Sequence, residues 1–359
     1  MREQDTRITD TAPQGSAVQS AAPRGDAPRW NLQLIGIYAA LLVMWIVLTI
    51  LSPYFFTVQN IRTLLISAST LSLIGAALTI VLIAGEIDLS FAAMQAFAGS
   101  VSAILIIEAG VPWPLGMLIA IAIGTAAGVV SGVVTVIGRL PTFITTLAML
   151  GIVQGTAFLL TNGQPVANFP DAYQAIGNNW LGPVPYSILV PALFYIALHF
   201  MLTRTVFGLH IFAVGGNKAA AESVGISWAR TTIAVLALAA FLSSVSGIVI
   251  TSRLNAGSGT YGADDLLPAV AGVIIGGTSL TGGVGSLWGT FGGIMIVVTI
   301  ADGLTLLNVS QFWQQILVGV IIMGAVLIDQ ATRGSINAPF LKTLVPGLRP
   351  RPGRARSSE

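Results

Sequence analysis

Residues 82–99 read LIAGEIDLSFAAMQAFAG. Some twenty apolar residues precede this stretch and a second apolar run follows it, yet Gly85, Glu86 and Asp88 stand between the two. A charge at the centre of a bilayer costs about 2.5–3.5 kcal/mol on insertion scales, so two of them inside one continuous span would need compensation. A break in the chain relieves much of that cost. One helix ends at Gly85, and Asp88 or Ser90 caps the next, its oxygen accepting free N–H groups and its charge favoured by the helix dipole. A second reading is compatible with the first. Irregular polar backbone persists at membrane depth only where it lines a cavity or is buried in protein. Glu86 and Asp88 are therefore candidate pathway or gate residues.

The rest of the chain has the same character. Of 359 residues, 54% are apolar and only 8% charged, with a mean hydropathy of +0.85. A soluble domain carries about 25% charged residues, so most of this chain never meets water and the fold class is an all-α polytopic membrane protein. The 40 glycines suit close packing of membrane helices. The absence of Cys excludes disulfides, thiolate metal sites and a Cys nucleophile. With His199 and His210 as the two imidazoles, no metal site is expected. The cations are scattered around the spans, which argues for loop anchors and against nucleic-acid binding.

Apolar windows predict about ten transmembrane helices, near 32–51, 63–84, 89–108, 114–137, 142–161, 186–203, 230–251, 266–281, 285–305 and 313–331. With both termini cytoplasmic, fourteen Lys and Arg fall in inner segments, and two, Arg62 and Arg253, in outer ones. That bias fixes the expected orientation. Residues 1–29, rich in Ala, Pro, Gly, Ser, Asp and Arg, are expected to be a disordered cytoplasmic tail. Residues 30–332 form the membrane domain and 333–359 a basic cytoplasmic tail. Two connections are long: an outer loop from Asn162 to Pro185, with Phe169, Tyr173 and Trp180, and an inner loop over 204–229.

Glycine recurs every fourth residue at Gly124, Gly128 and Gly132, and again at Gly285, Gly289 and Gly293. Such spacing clears one helix face for a neighbouring backbone. Gly85, Glu86 and Asp88 after the second span are echoed by NAGSGTYGADD after the seventh, with Asp264 and Asp265. Spans 2–5 and 7–10 are thus expected to form an inverted repeat, an arrangement common in transporters. Two unrelated packing ridges are the plainer alternative.

Within the inner loop, VGGNKAAAESVGI predicts a two-turn helix. Asn217 is a good N-cap, Lys218 to Val224 are compatible with a helix, and Gly225 suits the C′ position. So short a helix needs a surface to dock on. GLHIFAVGGNKAAAESVGI resembles the cytoplasmic loop of the permease subunits of bacterial sugar ABC importers of the ribose, xylose and galactose type. AGEIDLSFAAMQAFAGSV, GRLPTFITTLAMLGIVQGTAFLLTNGQPV and AVAGVIIGGTSLTGGVGSLWGTFGGIMI are similar to further stretches of that family, in the same order. The resemblance runs from about residue 34 to 330.

The resemblance implies that 215–225 is a coupling helix seated in a groove of a separate cytoplasmic ABC ATPase. Gly215 and Gly216 would let the chain turn tightly, Asn217 would start the helix, and Ala219, Ala220 and Ala221 would keep its face slim. Glu222 would pair with a basic residue of the partner or serve as an exposed solubilising charge. It also implies a second permease copy, a periplasmic or lipid-anchored sugar-binding protein, and the bacterial inner membrane. The family usually has a second Gly where this chain has Glu86, and often Asn at Asp302, which stands as a third candidate pathway residue. The chain carries no phosphate loop; it is not expected to be an enzyme or to hold a cofactor, ATP and Mg belonging to the partner. An ion-coupled secondary transporter is the alternative. It would need carboxylates near the midplane, and Glu86, Asp88 and Asp302 all fall toward span ends.

Overall fold

The computed structural model describes residues 29–182 and 184–332. Apart from Arg29, the expected terminal tails, 1–29 and 333–359, lie outside the described residues. The described chain is all-α but for two pairs of two-residue strands. In chain order the helices are α1 (Arg29–Leu51), α2 (Val58–Ile83), α3 (Phe91–Ala103, continued by a π turn over Ile104–Glu108), α4 (Trp113–Gly138), α5 (Thr142–Leu160), α6 (Asp171–Asn178), α7 (Tyr186–Arg204), α8 (Val206–Gly216), α9 (Lys218–Ser223), α10 (Trp228–Leu254), α11 (Leu266–Ile275), α12 (Leu287–Leu306) and α13 (Gln311–Thr332). Eight of them are long and apolar enough to cross a membrane: α1, α2, α3 with its π turn, α4, α5, α7, α10 and α12. The chain is a multi-pass membrane protein.

All ten expected spans fall on helices, with one correction. The eighth, expected over 266–281, is helical only to Ile275. Ten residues rise about 15 Å, half of a hydrocarbon core. The helix ends at Gly276 and Gly277, where Gly277 takes a positive φ of 84° and its N–H and that of Thr278 bond back to Ile274 and Val273. The following TSLTGGVGS could be helical only at a cost of about 1 kcal/mol for each glycine. It runs instead as irregular backbone to α12.

The inner connection over 204–229 also differs from a loop. Its first half is α8, capped by the Thr205 hydroxyl, which accepts from the Gly208 N–H at 3.2 Å. Ile211 and Val214 bury one face of α8 against α2 and α10. The outer connection folds as well. Val166–Ala167 pairs antiparallel with Ala256–Gly257, and α6 lays Tyr173 against Phe169 in a stack with centroids 4.3 Å apart. Both rings are buried; of the three aromatic residues of this connection Trp180 is the exposed one, with the Arg62 guanidinium 4.5 Å above its ring.

α2 and α10 pack on each other and form the central pair. The apolar window of α2 is 89% buried, whereas that of α1 is 11% buried and faces outward. α2 packs on α11 and α12 as α10 packs on α3 and α4, and α3 meets α4 and α5 as α11 meets α12 and α13. This mirrored packing is that of two four-helix repeats, α2–α5 and α10–α13. The two glycine ridges do not serve equivalent contacts, however. Gly124, Gly128 and Gly132 clear α4 for α10, while Gly289 and Gly293 clear α12 for the half-helix α11. The topology carries the repeat; the glycine spacing by itself does not.

A methyl added at Gly128 would lie 2.6 Å from the Leu236 carbonyl oxygen and would meet the Ala240 side chain as well, whereas one added at Gly151 on α5 meets nothing. Overpacking of this kind costs about 1–3 kcal/mol. Gly128→Ala should therefore lower the thermal midpoint of the detergent-solubilised protein by several degrees while Gly151→Ala leaves it unchanged. Equal midpoints for the two would contradict the close α4–α10 contact.

Candidate functional site

The two-turn helix forms where expected, as α9. The Asn217 carboxamide oxygen accepts from the Ala220 N–H at 3.0 Å, and Gly225 follows in the left-handed region with φ 86°. The Gly225 and Ile226 N–H groups bond to the carbonyls of Glu222 and Ala221, which closes the C-terminus. Ala221 is buried, while Lys218, Ala219, Ala220, Glu222, Ser223 and Val224 are exposed. The face that α9 offers outward is thus small-residue in character, flanked by one cation and one anion.

What fixes α9 to the bundle is a meeting of three backbones. Gly85 ends α2 with φ 78°, and the N–H groups of Gly85 and Glu86 return to Leu82 and Val81. Gly215, at the end of α8, lies against it: a methyl at Gly85 would be 3.3 Å from the Gly215 Cα, and one at Gly215 would collide with the Ile83 carbonyl. The third strand of chain is the turn before α12. The Gly283 N–H donates to the Ile83 carbonyl at 2.9 Å, and methyls at Gly282 and Gly283 would lie 2.7 Å from the Cα atoms of Gly85 and Gly216. Gly215 and Gly216 therefore do not make a tight turn, as was expected of them. Both are helical, Asn217 follows in an extended conformation, and Gly215 is there for close approach, whereas a methyl at Gly216 would meet nothing.

Glu86 is a second tie. Its Oε1 accepts from the Trp228 indole N–H at 2.7 Å and from the Thr232 hydroxyl at 3.1 Å; its Oε2 accepts from the Thr142 hydroxyl. The ammonium of Lys218 sits 3.2 Å from the centroid of the same Trp228 ring. One carboxylate thus links the first turns of α5 and α10 and, through Trp228, the first residue of α9. Ser90, not Asp88, stands at the N-cap of α3, and it makes no side-chain cap bond; Asp88 instead holds the turn before it. It is buried, and its Oδ1 accepts from the Ser90 N–H at 2.7 Å and the Ser90 hydroxyl at 2.6 Å. Burial pushes its carboxyl above the ordinary value, and the bonds from Ser90 and Phe91 pull it back.

Asp302 is remote from both. It accepts from the Asn60 side-chain amide at 2.7 Å, beside the start of α2, and lines a cavity of about 560 Å³ between α2, α11, α12 and α13. Glu86 follows the other end of α2, a helix of 26 residues and roughly 39 Å. The three candidate pathway carboxylates thus occupy two places. Gly282 and Gly283 serve as turn and packing glycines, with φ 87° and 72°; that they meet Gly215 had no signal in the sequence.

Removing the Glu86 carboxylate strands the Trp228 N–H, at a cost of about 1–3 kcal/mol. Glu86→Ala and Trp228→Phe should each lower the thermal midpoint, and the double variant should be no worse than the more damaging single one. Additive losses would show that the two side chains act independently.

No solved structure matches the chain. Among curated proteins it is similar to the ribose import permease protein RbsC of Escherichia coli K12, 36% identical over 296 residues that cover 81% of this chain and 91% of that protein. RbsC of Bacillus subtilis is 34% identical over 301 residues, covering 83% and 93%. The L-arabinose ABC transporter permease protein AraH of Azospirillum brasilense is 34% identical over 324 residues, covering 90% and 95%. Residues 60–326, from the first turn of α2 into α13, match the profile of a permease family, and the chain belongs to that family, the permease components described under the branched-chain amino acid transport system.

Proposed function

We propose that the chain is the membrane permease subunit of a bacterial ABC importer that moves a sugar or polyol, driven by ATP and Mg bound on a separate cytoplasmic ATPase. The family is described by branched-chain amino acid transport, but the relatives are named for ribose and arabinose. Proteins named for these two sugars resemble this chain over four-fifths of its length or more, which favours the sugar reading. A second copy of the chain pairs with the first, and an external binding protein delivers the solute.

The observation that carries the coupling role is the mounting of α9. Its outward face, with Ala220 and Glu222, is free for a groove on the ATPase, while its root is bound to α2 and to the turn before α12 at Gly85, Gly215 and Gly283. A push on α9 is then passed to both repeats without passing through flexible side chains. Through Trp228 and Glu86 the same push reaches the first turns of α5 and α10. Glu86 accepts from Trp228, Thr232 and Thr142 through both of its oxygens, and Asp88 is buried against Ser90, so both carboxylates are used in local structure at the end of α2.

Inverted or right-side-out vesicles holding the chain with its co-expressed ATPase test the reading. Solute uptake should be lost with vanadate and persist with a protonophore; the opposite pattern would favour ion coupling. Glu222→Lys and Gly216→Trp, both at exposed positions and the second where a methyl would meet nothing, should weaken ATPase association about tenfold or more, with the thermal midpoint of the permease unchanged. Wild-type association of both variants would reject the coupling role of 215–225.

A further inference from the structure

The cavity beside Asp302 has an ordered lining. α2 contributes Thr63, Ser67 and Leu71, α12 contributes Thr305, Asp302 and Val298, and α13 contributes Gln311, Gln314 and Val318. Each set is spaced three or four residues apart, so each is one helix face. All three faces change in the same sense. Hydroxyl, carboxylate and amide groups stand at the end next to the starts of α2 and α13, and Leu71, Val298 and Val318 close the other end. The fourth wall is the start of α11, with Asp264 and Asp265 on the polar side. The space is a cup with a polar mouth and an apolar floor. It opens at the end of α2 opposite Gly85, roughly 30 Å away along the twenty residues from Thr63 to Ile83.

The polar groups retain bonding capacity. Thr63 and Ser67 are exposed although α2 is the most enclosed of the spans, because the cup lies in front of them. Gln314 donates to the Thr305 hydroxyl at 3.1 Å, Asp302 accepts from Asn60 through Oδ2, and the Gln95 amide reaches Asp265 at 3.3 Å. Each of these leaves acceptor or donor positions over, since a carboxylate accepts at about four sites and a carboxamide offers both roles. Carboxylates at the mouth repel an anion. Among the described residues no His, Asp and Glu group is gathered closely enough to hold a metal ion. Hydroxyl groups satisfy carboxylates and amides together, and the C–H face of a sugar ring suits the apolar floor.

We propose that this cup is a binding site for a neutral polyhydroxylated solute, built within a single copy of the chain and independent of any interface between copies. The closed apolar floor makes it a resting site and not a channel. The proposal concerns this chain alone and does not require the ATPase.

The test is equilibrium binding to the purified chain in lipid nanodiscs, without ATPase or binding protein, using radiolabelled D-ribose, L-arabinose, D-xylose, D-glucose and myo-inositol, with D-gluconate as the anionic control. At least one neutral solute should bind saturably, and gluconate should not. Ser67→Trp, which fills the mouth, should abolish that binding, and Asp302→Asn, which keeps the shape, should weaken it about tenfold through loss of a charge-assisted bond. No saturable binding of any neutral solute up to about 50 mM, beyond the millimolar range of weak sites, would overturn the proposal. So would binding that neither variant alters. Either result leaves the importer reading standing. A chain that binds solute in the cup but supports no ATP-dependent uptake would sink that reading and leave this one.

Discussion

The arrangement rests on a place where side chains are excluded. The end of α2, the end of α8 and the turn before α12 meet at Gly85, Gly215, Gly282 and Gly283, with the Gly283 N–H donating to the Ile83 carbonyl. A methyl at Gly215, Gly282 or Gly283 would press on neighbouring backbone. Backbone in such contact transmits displacement with little loss, since no rotamer can absorb it. The six-residue α9, which by itself is far too short to be stable in water, acquires its fixed position from this contact and from the Lys218–Trp228–Glu86 chain.

The same requirement explains why irregular backbone is tolerated so near the spans. In lipid every N–H and C=O must find a partner inside the protein. At the ends of α2, α9, α11 and α12 the chain turns through one left-handed residue, Gly85, Gly225, Gly277 or Asn308, and the two N–H groups that follow the helix bond back into its last turn. Half-helix α11 can stop short because the stretch after it is enclosed: Gly276 lies on Gly289, and Gly282 on Gly85 and Gly215. Two repeats with mirrored packing then place one helix break at each end of the central pair, the α2–α3 break beside α9 and the α10–α11 break beside the cup.

Much of this was legible before the structure. The apolar windows found every long span because twenty-residue hydrophobic length is a direct demand of the bilayer. Gly85, Asn217 and Gly225 were readable because caps depend on local φ and on short side chains. The break at Gly85 was legible, but the cap was not: Ser90 takes the N-cap position of α3 without a side-chain bond, and Asp88 bonds to Ser90 itself. What escaped were features set by tertiary contact. α8 escapes a search for spans because its eleven residues fall below span length, although Val206, Phe207, Ile211 and Val214 mark an apolar helix. The burial of Phe169 and Tyr173 had no signal, because an aromatic residue in a loop looks the same whether it packs inward or outward. The reason for Gly215 was invisible because its partners, Ile83 and Gly283, are remote in sequence. Glu86 stood out as a departure from its relatives, but its three donors come from two other helices.

The central claim is that α9 and the end of α2 move as one body. The chain has no native Cys, so paired spin labels at Ser223→Cys on α9 and Ile87→Cys beside Gly85, both exposed positions, report on that claim directly. Pulsed electron paramagnetic resonance in nanodiscs should give a single narrow distance distribution that is the same with and without the bound ATPase. A broad or two-peaked distribution, or a distance that shifts when the ATPase binds, would show that α9 is hinged and contradict the account.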